Sequence, residues 1–273
     1  CTFHDAAVFD RPDAYTAAFS AWYRYAFRRL ARSALLVLTV SAFSKERLAE
    51  ALPAARGRLA VVANGAEHLV RLAADLSVLG RLGLERQGYL LAVGSANPTK
   101  NFAALAQAFS ALAARGALRL VFVGAARRTV FAAAGPRGAA DPRIVYAGAV
   151  TDAELKALYA NALALVFPST YEGFGLPPLE AMSCGCPVAA SNAAAVPEVC
   201  GDAALYFDPR SPAAIGAAVQ RMVDEPALRD LLRERGRLRV AAFTWDKAAG
   251  ALLAALSERG LIAAPATASV HCR

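Results

Sequence analysis

Short apolar segments alternate along this chain with stretches of helical periodicity. Tyr89–Val93 (YLLAV) and residues 163–167 (LALVF) are continuous apolar runs of strand length. Between them, residues 101–114 repeat apolar side chains, such as Phe102 and Phe109, at helical spacing. Buried strands separated by helices are typical of a parallel sheet, because a parallel connection needs at least about a dozen residues. The sequence therefore predicts an α/β fold with a doubly wound parallel sheet.

The predicted elements follow one another in a regular order. Strands are expected at residues 34–40, 58–62, 89–93, 118–123, 144–146, 163–167 and 187–190. Helices are expected at residues 45–52 with Ser44 as N-cap, at 101–114, from the capping box Thr151-x-x-Glu154 to Asn161, from Pro178, at 212–223 and 227–239, and after Trp245. Residues 66–87 contain no strong strand pattern, so they are expected to form a connection.

The strands from Tyr89 onward suffice for a complete doubly wound unit, whereas only two predicted strands precede them. We therefore expect residues 1–75 to be the remainder of an N-terminal α/β domain and residues 76–245 to be a complete C-terminal one. Residues 246–273 are expected to form a helix that returns toward the N-terminal domain. The chain begins at Cys1 with no signal-peptide pattern, so we also expect the sequence to begin inside a longer protein.

Composition narrows the class of protein. Hydrophobic residues make up 57% of the chain and mean hydropathy is +0.36, which excludes a mainly disordered chain. No apolar run reaches the roughly 18 residues of a membrane-spanning helix, so a soluble globular protein is expected. The five cysteines are odd in number and scattered, which favours reduced thiols in a cytosolic protein. Cys184 and Cys186 lack a second ligand pair at metal-binding spacing, so buried thiols are favoured over a zinc site.

The net charge of +8 suits a partner that carries negative charge. Nucleic acid, an anionic membrane surface and a phosphorylated small molecule are the three candidates. Only four of the 30 basic residues are lysines, and the arginines are spread along the chain without a nucleic-acid-binding motif. No nucleic-acid partner is therefore expected.

Residues 166–185 (VFPSTYEGFGLPPLEAMSCG) hold the strongest chemical signal. Glu172 comes just after a predicted strand, and the glycines that follow it allow close approach of a ligand to the backbone. Pro177 and Pro178 suit the start of a helix, and Glu180 is expected in its first turn. Two carboxylates and the free N–H groups of a helix would then face one crevice, where the N–H groups favour an anion such as phosphate. Ordinary helix stabilisation is the alternative role of Glu180.

Two further strand ends carry candidate residues. In residues 93–101 (VGSANPTKN), Gly94 follows a strand and Lys100 precedes a helix, where an ammonium group could meet a diphosphate. His4 and Asp5 form the other candidate. A solvated surface lysine and a structural histidine are the alternatives, and each residue taken alone favours them.

Together these segments resemble the retaining glycosyltransferases of family four, which have the GT-B fold of two facing Rossmann-like domains. The resemblance covers nearly the whole chain, and its most specific part is the pair Glu172 and Glu180, separated by seven residues. The other matching segments are HD at 4–5, LTVSAFSKERLA at 38–49, VVANGAEHL at 61–69, LLAVGSANPTKNF at 90–102, LVFVGA at 120–125, residues 146–191, VPEVCGDAALYFDP at 196–209 and FTW at 243–245.

The resemblance implies transfer of a hexose from a nucleotide diphosphate sugar to an acceptor hydroxyl, with retention of anomeric configuration. It implies that Glu180 binds the ribose and that Lys100 neutralises the diphosphate. It also implies that Glu172 and the N–H groups of Phe174 and Gly175 hold the donor sugar and the neighbouring phosphate. His4 would reach the donor sugar from the other domain. The residues implied to contact the donor are Gly94, Ser95, Lys100, Val150, Gly173, Phe174, Gly175, Leu176 and Glu180. Ser95 stands where the family usually has an arginine, which leaves one cation fewer for the leaving group.

The partners and cofactors follow from the same resemblance. The donor is expected to be GDP-mannose, by likeness to bacterial polysaccharide mannosyltransferases, and the acceptor a saccharide or a lipid-linked saccharide of the cell surface. The nucleotide sugar is a substrate, and the absence of a D-x-D motif predicts no required metal and no cofactor. Trp245 and the helix after it would help return the chain to the N-terminal domain.

Residues 15–32 (YTAAFSAWYRYAFRRLAR) combine aromatic residues with four arginines. They predict either a helix that packs its aromatic side chains on the N-terminal domain, which we favour, or a peripheral contact with an anionic membrane. The protein is accordingly expected in the cytoplasm, with the inner face of the membrane as the alternative. Two other functions stay open: an inactive fragment that only binds nucleotide sugar, and a nicotinamide-dependent dehydrogenase. The latter is disfavoured because no G-x-G-x-x-G follows a strand.

Overall fold

The computed structural model describes residues 1–112, 118–124 and 141–263. The strands in these ranges are β1 Val37–Thr39, β2 Leu59–Val61, β3 Tyr89–Val93, β4 Arg119–Val123, β5 Ile144–Gly148, β6 Ala164–Phe167, β7 Val188–Ser191 and β8 Ala204–Phe207. The α-helices are α1 Ala7–Asp10, α2 Ala17–Ser33, α3 Ala42–Ala51, α4 Ser77–Leu82, α5 Phe102–Ala111, α6 Asp152–Asn161, α7 Leu176–Ser183, α8 Val196–Cys200, α9 Pro212–Asp224, α10 Pro226–Val240 and α11 Trp245–Glu258.

The larger sheet has six parallel strands in the order β5-β4-β3-β6-β7-β8. The chain runs outward from β3 through β4 to β5, and then returns to the other side of β3 to form β6, β7 and β8. The strand order therefore reverses between β3 and β6, which is where open α/β sheets bind ligands at the carboxyl ends of their strands. The predicted doubly wound parallel sheet is confirmed.

The core of this sheet explains the continuous apolar runs in the sequence. Successive residues of a strand face opposite sides of the sheet, and helices cover both sides. Leu91 and Leu165 are fully buried in the cluster on one side, and Leu90 and Ala164 are fully buried in the cluster on the other. Because both faces are covered, nearly every residue of β3 and β6 must be apolar.

The smaller sheet pairs β1 with β2 in parallel, and Thr2 forms an isolated parallel bridge with Leu38. Its apolar core includes Phe3, Leu48 and Leu52, all buried. We call residues 1–61 the small-sheet region and residues 89–240 the large-sheet region. The predicted domain bounds at residues 75 and 245 stay predictions.

Some predicted elements need correction. The N-cap of α3 is Ser41, whose hydroxyl accepts from the Ser44 N–H, so the prediction of Ser44 as N-cap was wrong. Residues 34–36 lie outside β1, although their apolar side chains extended the predicted strand. Helix α4 lies within the predicted connection, and α8 and β8 were not predicted. The edge strand β8 pairs only with β7, and its Leu205 and Tyr206 are half-buried, so its apolar signal is short and weak.

Other predictions are confirmed or fall outside the described ranges. Strand β3 has the predicted bounds, and Thr151 and Glu154 form the capping box that opens α6. Residues 113 and 114 at the end of a predicted helix, and most of the loop expected between β4 and β5, lie outside the described residues. Of the helices in the described ranges, none has both the length and the apolar character to cross a membrane.

Candidate active site at the carboxyl edge of the large sheet

Lys100 and Glu172 meet at the point where the strand order reverses. Lys100 ends a short turn after β3, and Glu172 lies in the segment after β6. The Lys100 Nζ donates to Glu172 Oε1 at 2.6 Å, and the two side chains are only 17% and 12% exposed. The ammonium also lies 5.6 Å from the centre of the Phe167 ring. The sequence placed these residues at separate strand ends, and the structure joins them in a charge-assisted hydrogen bond.

Glycines let the ends of neighbouring strands pack closely at this edge. Gly124 follows β4 with φ +145°, and a Cβ atom there would lie 1.7 Å from the carbonyl oxygen of Gly94. A Cβ atom at Gly94 would lie 3.2 Å from the Lys100 side chain. Position 124 therefore accepts only glycine. The aliphatic part of the Lys100 side chain lies over the end of β3 at Gly94. Gly124 was part of a matching segment but was not predicted as a site residue.

The turn from Gly173 to Gly175 leads directly into α7. Gly175 is the N-cap of α7 with φ 102°, a left-handed conformation that favours glycine, and prolines occupy the start of the helix as predicted. The first N–H groups of a helix have no partner within the helix, and here they are those of Gly175 and Leu176, because Pro177 and Pro178 carry no N–H. This end of α7 can therefore present these two N–H groups to an anion. Phe174 is buried, with its ring 5.7 Å from that of Phe243.

Glu180 lies further along α7 than predicted. It is the fifth residue of α7, so its expected place in the first turn was wrong. Tyr159 donates its hydroxyl to Glu180 Oε2 at 3.0 Å, and His68 Nε2 lies 3.2 Å from Glu180 Oε1. Burial raises the pKa of Glu180, and the hydrogen bond from Tyr159 and the neighbouring His68 oppose that shift. The carboxylate is therefore held by two side chains that need not carry charge.

The small-sheet region contacts the Gly173 turn directly. The carbonyl oxygen of Gly173 accepts from Ser41 Oγ at 2.6 Å and from Ser44 Oγ at 2.9 Å. Both serines are buried, and Ser41 caps α3 at the same time. Glu198 of α8 reaches across in the other direction, since its two carboxylate oxygens accept from the N–H groups of Ala42 at 2.7 Å and Phe43 at 3.0 Å. These bonds fix the Gly173 turn against the start of α3.

Further contacts join the first residues of the chain to the segment after β6. Tyr171 donates its hydroxyl to Asp10 Oδ2 at 2.9 Å, and Arg11 donates to Thr170 Oγ1 at 2.9 Å. Both partners in the large-sheet region directly precede Glu172. The small-sheet region therefore positions the Glu172 segment from one side, while Lys100 holds it from the other.

The structure places His4 and Asp5 beside Gly173. A Cβ atom at Gly173 would lie 2.6 Å from the His4 carbonyl oxygen and 2.7 Å from the Asp5 Cβ. The side chain of His4 is exposed, so the closest part of His4 to this turn is its backbone. Burial raises the pKa of Asp5, and the nearby charge of Glu172 adds to this effect.

The remaining predicted donor contacts lie around the same edge. Ser95 follows Gly94, is half-buried, and its hydroxyl accepts from the Asn97 N–H at 3.4 Å. Val150 is half-buried just before α6, and Leu176 is the first residue of α7. The roles of all the predicted site residues stay predictions.

Sequence reasoning missed several residues that touch the site: Ser41, Ser44, His68, Tyr159 and Glu198. All five lie in segments that carried the family resemblance, so a general signal existed for each of them. Their partners gave no signal in the sequence, because each contact joins elements that meet only in three dimensions.

Metal ligands can be assessed for the described ranges. Within them, no group of three or more His, Cys, Asp or Glu side chains is arranged to hold a metal ion. Cys184 and Cys186 are free thiols, and burial raises the pKa of the Cys186 thiol to about 12. A protonated, buried thiol is a poor metal ligand and a poor nucleophile.

The comparison with protein families agrees with this geometry. The family described as "Glycosyl transferases group 1" matches residues 81–239, which include β3 to β8 and the Lys100, Glu172 and Glu180 positions. This match covers more than half of the chain. The chain therefore belongs to the group 1 glycosyl transferases.

Several relatives are O-antigen mannosyltransferases. The chain is 36% identical over 252 residues to the "O-antigen chain mannosyltransferase B" of Escherichia coli, a match that covers 90% of this chain and 66% of that protein. It is 28% identical to the "O-antigen chain mannosyltransferase RfbU" of Salmonella typhimurium, covering 82% of this chain and 61% of the relative. The chain spans just under two thirds of the length of these relatives.

Solved structures show the same fold. The sucrose-phosphate synthase of Thermosynechococcus elongatus superposes with a TM-score of 0.75 at 24% identity, covering 97% of this chain and 68% of that one. The Anabaena protein HepE, solved in complex with UDP and glucose, superposes with a TM-score of 0.77 at 19% identity, covering 94% of this chain and 70% of its own. The predicted GT-B fold class is confirmed.

Proposed function

We propose that this chain transfers a hexose, with mannose as the first choice, from a nucleotide diphosphate sugar to an acceptor hydroxyl in the synthesis of a cell-surface polysaccharide. The observation that carries the proposal is the Lys100–Glu172 pair beside the Gly173–Gly175 turn, at the reversal of strand order. The names of the mannosyltransferase relatives support the sugar. GDP-mannose is the proposed donor.

The proposed catalysis acts on the leaving group. Cleavage of the bond between the anomeric carbon and the diphosphate moves an electron pair onto the diphosphate oxygen. Lys100 and the N–H groups of Phe174, Gly175 and Leu176, which precede the two prolines, would stabilise that charge. Removing one such donor typically costs about 3–4 kcal/mol of barrier. No required metal and no cofactor enter this scheme, since fixed donors take the place of a cation.

Retention of configuration is part of the proposal. The acceptor oxygen forms the new bond to the anomeric carbon on the face that the diphosphate leaves. The acceptor proton would pass to the departing diphosphate oxygen, which lies on that same face. Glu172, held by Lys100, would bind hydroxyls of the donor sugar, and His4 would approach the sugar from the small-sheet region.

Glu180 is proposed to bind the ribose hydroxyls of the nucleotide. A carboxylate oxygen has two acceptor positions, and each oxygen of Glu180 has one partner among the contacts described above. The remaining positions suit two neighbouring hydroxyl donors. This assignment separates the nucleotide end of the donor, at Glu180, from the sugar and diphosphate end, at Lys100 and Glu172.

A thermal-shift screen with GDP, UDP and ADP, and with their sugars, tests the nucleotide part of the proposal. A ligand that binds the folded state raises its unfolding midpoint. We expect GDP and GDP-mannose to give the largest shift, the Glu180→Ala variant to lose it, and the exposed control Glu46→Ala to keep it. Equal shifts in Glu180→Ala and the wild type would overturn the Glu180 assignment.

Transfer itself is tested with radiolabelled GDP-mannose and a mannose-terminated oligosaccharide acceptor, free or lipid-linked. The expected product is an α-mannoside, identified by the one-bond carbon–proton coupling at the anomeric carbon. Formation of a β-mannoside would contradict retention. Transfer from another nucleotide sugar and not from GDP-mannose would replace the proposed donor while leaving the proposed reaction in place.

We propose that the protein is cytoplasmic and that α2 binds the inner face of an anionic membrane, where a lipid-linked acceptor would lie. Helix α2 does pack on the small-sheet region, because the Phe27 ring stacks on Phe3 with centres 4.1 Å apart. Its other face stays open: Trp22 and Tyr25 are 64% and 59% exposed. Exposed arginines 29 and 32 continue that face at helical spacing. Aromatic and cationic side chains on one face suit a phospholipid headgroup layer.

Vesicle sedimentation tests the membrane contact. Vesicles of phosphatidylcholine with about a third phosphatidylglycerol are expected to bind the protein, and vesicles of phosphatidylcholine alone are not. The double variant Trp22→Ala, Tyr25→Ala should lose binding, and Leu238→Ala, a 60% exposed residue of α10, should keep it. Equal binding by both variants, or none by the wild type, would overturn the contact.

A further inference from the structure

His68 contacts Glu180 in the proposed nucleotide site and has no role in the proposed mechanism. It lies in the short turn Glu67–Leu69, within the connection between the two sheets. Its Nε2 lies 3.2 Å from Glu180 Oε1, while Tyr159 bonds to the other oxygen, Oε2. The Glu180 carboxylate is thus held at both oxygens by side chains from two different elements.

The two partners of Glu180 differ in how firmly they are placed. Tyr159 is fully buried in the core of the large-sheet region, so its position follows from packing. The side chain of His68 is 35% exposed and lies at the border between the core and solvent. Without His68, Glu180 Oε1 would lose its donor. The carboxylate, held only by Tyr159 at Oε2, could then rotate about its Cγ–Cδ bond.

The surroundings of the imidazole favour one of its two tautomers. His68 Nδ1 is buried and has no hydrogen-bond partner among the described residues. A proton on Nδ1 would be a buried donor without an acceptor, which is costly, whereas an unprotonated Nδ1 loses less. Of the two neutral tautomers, the one with its proton on Nε2 is therefore favoured, and its N–H can donate to Glu180 Oε1.

The turn that carries His68 is itself held by the start of α11. Glu67 Oε1 accepts from the Trp245 N–H at 2.7 Å, and the Ala66 N–H donates to the Phe243 carbonyl at 3.0 Å. A Cβ atom at Gly65 would lie 2.5 Å from the Trp245 nitrogen, so the two segments pack backbone to backbone. His68 is placed by this contact and not by chance exposure of a loop.

We propose that His68 is a positioning residue, which orients the Glu180 carboxylate so that its free acceptor positions face the neighbouring 2′ and 3′ hydroxyls of a nucleoside diphosphate. The inference rests on the proposed function, because it needs Glu180 to bind ribose. It assigns to His68 the discrimination between ligands with and without these hydroxyls. His68 itself touches no reacting atom.

The test compares nucleotides that differ only at the ribose. Calorimetry measures the affinities of GDP and of 2′,3′-dideoxy-GDP, and of the corresponding uridine pair, for the wild type and for His68→Leu and His68→Gln. We expect the wild type to prefer the ribonucleotide roughly tenfold or more, as for hydrogen bonds to a charged group. His68→Leu should reduce this preference to about threefold or less, since the carboxylate loses one of its two holding donors.

The conservative variant separates positioning from general damage. Glutamine can place an amide N–H near the position of Nε2, so His68→Gln should recover most of the preference. Affinity for the dideoxy ligand should be the same in all three proteins. If His68→Leu does not fold, His68→Asn, whose shorter amide does not reach Glu180, takes its place with the same expectation.

Each result has a defined meaning. If His68→Leu keeps the wild-type preference, or loses affinity equally for both ligands, His68 is not a positioning residue, while the Glu180 assignment stands. If the wild type itself binds both ligands equally, Glu180 does not bind ribose, and the role of His68 falls with it. These outcomes are distinct, so the inference and the proposed function can fail separately.

Discussion

The two glutamates that define the sequence motif have unlike surroundings. Glu172 forms an ion pair with Lys100 at 2.6 Å, and contacts from the small-sheet region hold the residues on either side of it. Glu180 is bonded to Tyr159 and lies beside His68, with burial raising its pKa. The Glu172 carboxylate is paired with the full positive charge of Lys100. The Glu180 carboxylate is held by a phenol and an imidazole, which can both be neutral.

This difference matches the two ends of the proposed donor. A diphosphate can compete with Glu172 for the Lys100 ammonium, so an ion pair at this place can open to a charged ligand. Ribose hydroxyls carry no charge, and a carboxylate held by a phenol and an imidazole can accept from them without breaking an ion pair. Two glutamates of one sequence motif therefore need not have the same chemical role.

Removal of Lys100 should produce the largest effect and would break the comparison at its charged end. In Lys100→Ala we expect the transfer rate to fall by about 10²–10³-fold, because one fixed donor to the leaving group is lost. Steady-state transfer assays measure it. Lys45→Ala, an exposed lysine of α3, is the control with the same change in charge.

A double variant separates the structural role of this pair from its chemistry. Lys100→Ala alone leaves Glu172 buried without its cation, which should lower the free energy of unfolding by about 3–5 kcal/mol. Lys100→Met with Glu172→Gln should recover that stability but not the activity. Normal transfer by the double variant would contradict the proposed role of the pair.

The contact between Gly173 and the small-sheet region gives a second, smaller effect. In Gly173→Ala the new methyl group would lie 2.6 Å from the His4 carbonyl oxygen, so backbone must shift. We expect a loss of about 1–3 kcal/mol in the free energy of unfolding, measured by denaturant titration. Gly250→Ala in α11 meets no atom within 4 Å, and it should gain about 0.5–1 kcal/mol.

Equal stability of the two alanine variants would show that the Gly173 turn is free to move away from His4. In that case the small-sheet region would not fix the segment that carries Glu172. A loss of transfer activity in Gly173→Ala at unchanged nucleotide affinity would instead sharpen the comparison, because it would tie this turn to the sugar end of the site alone.

The smallest effect concerns the pH dependence at Glu180. Burial raises the pKa of Glu180 above its ordinary value of 4.5. Just above pH 4.5 the folded state therefore binds more protons at Glu180 than the unfolded state does. The contribution of Glu180 to the free energy of unfolding thus falls as pH rises through this range. Glu180→Gln lacks this contribution. The unfolding free energy of the variant minus that of the wild type should therefore become more positive with rising pH, as measured by denaturant titration from pH 4 to 8.

Glu225 supplies a control of opposite sign. Its hydrogen bond with Arg221 lowers the pKa of Glu225, so this carboxylate adds stability as pH rises. For Glu225→Gln, the same difference should become more negative with rising pH. If both variants changed in the same direction, the surroundings of Glu180 would not differ from those of an exposed ion pair.

Much of the fold could be predicted from local pattern. The bounds of β3 and the Thr151–Glu154 capping box are as predicted, because an apolar run and a cap each act within a few residues. Helix α8 and strand β8 escaped prediction, since α8 is five residues long and the edge strand β8 is only partly buried. Burial on both faces gives a strong signal, and a sheet edge gives a weak one.

For the site, the sequence by itself determined which residue types follow the strands: Gly94, Lys100 and Glu172 after the strand ends, and Glu180 in the helix after them. Only the tertiary structure decided their partners. Ser41 reaches the Gly173 carbonyl across 132 residues, and Lys100 reaches Glu172 across 72. Periodicity and capping act between neighbours in the chain, whereas hydrogen-bond geometry and desolvation depend on which distant elements pack together. The different surroundings of the two glutamates are therefore a property of the fold.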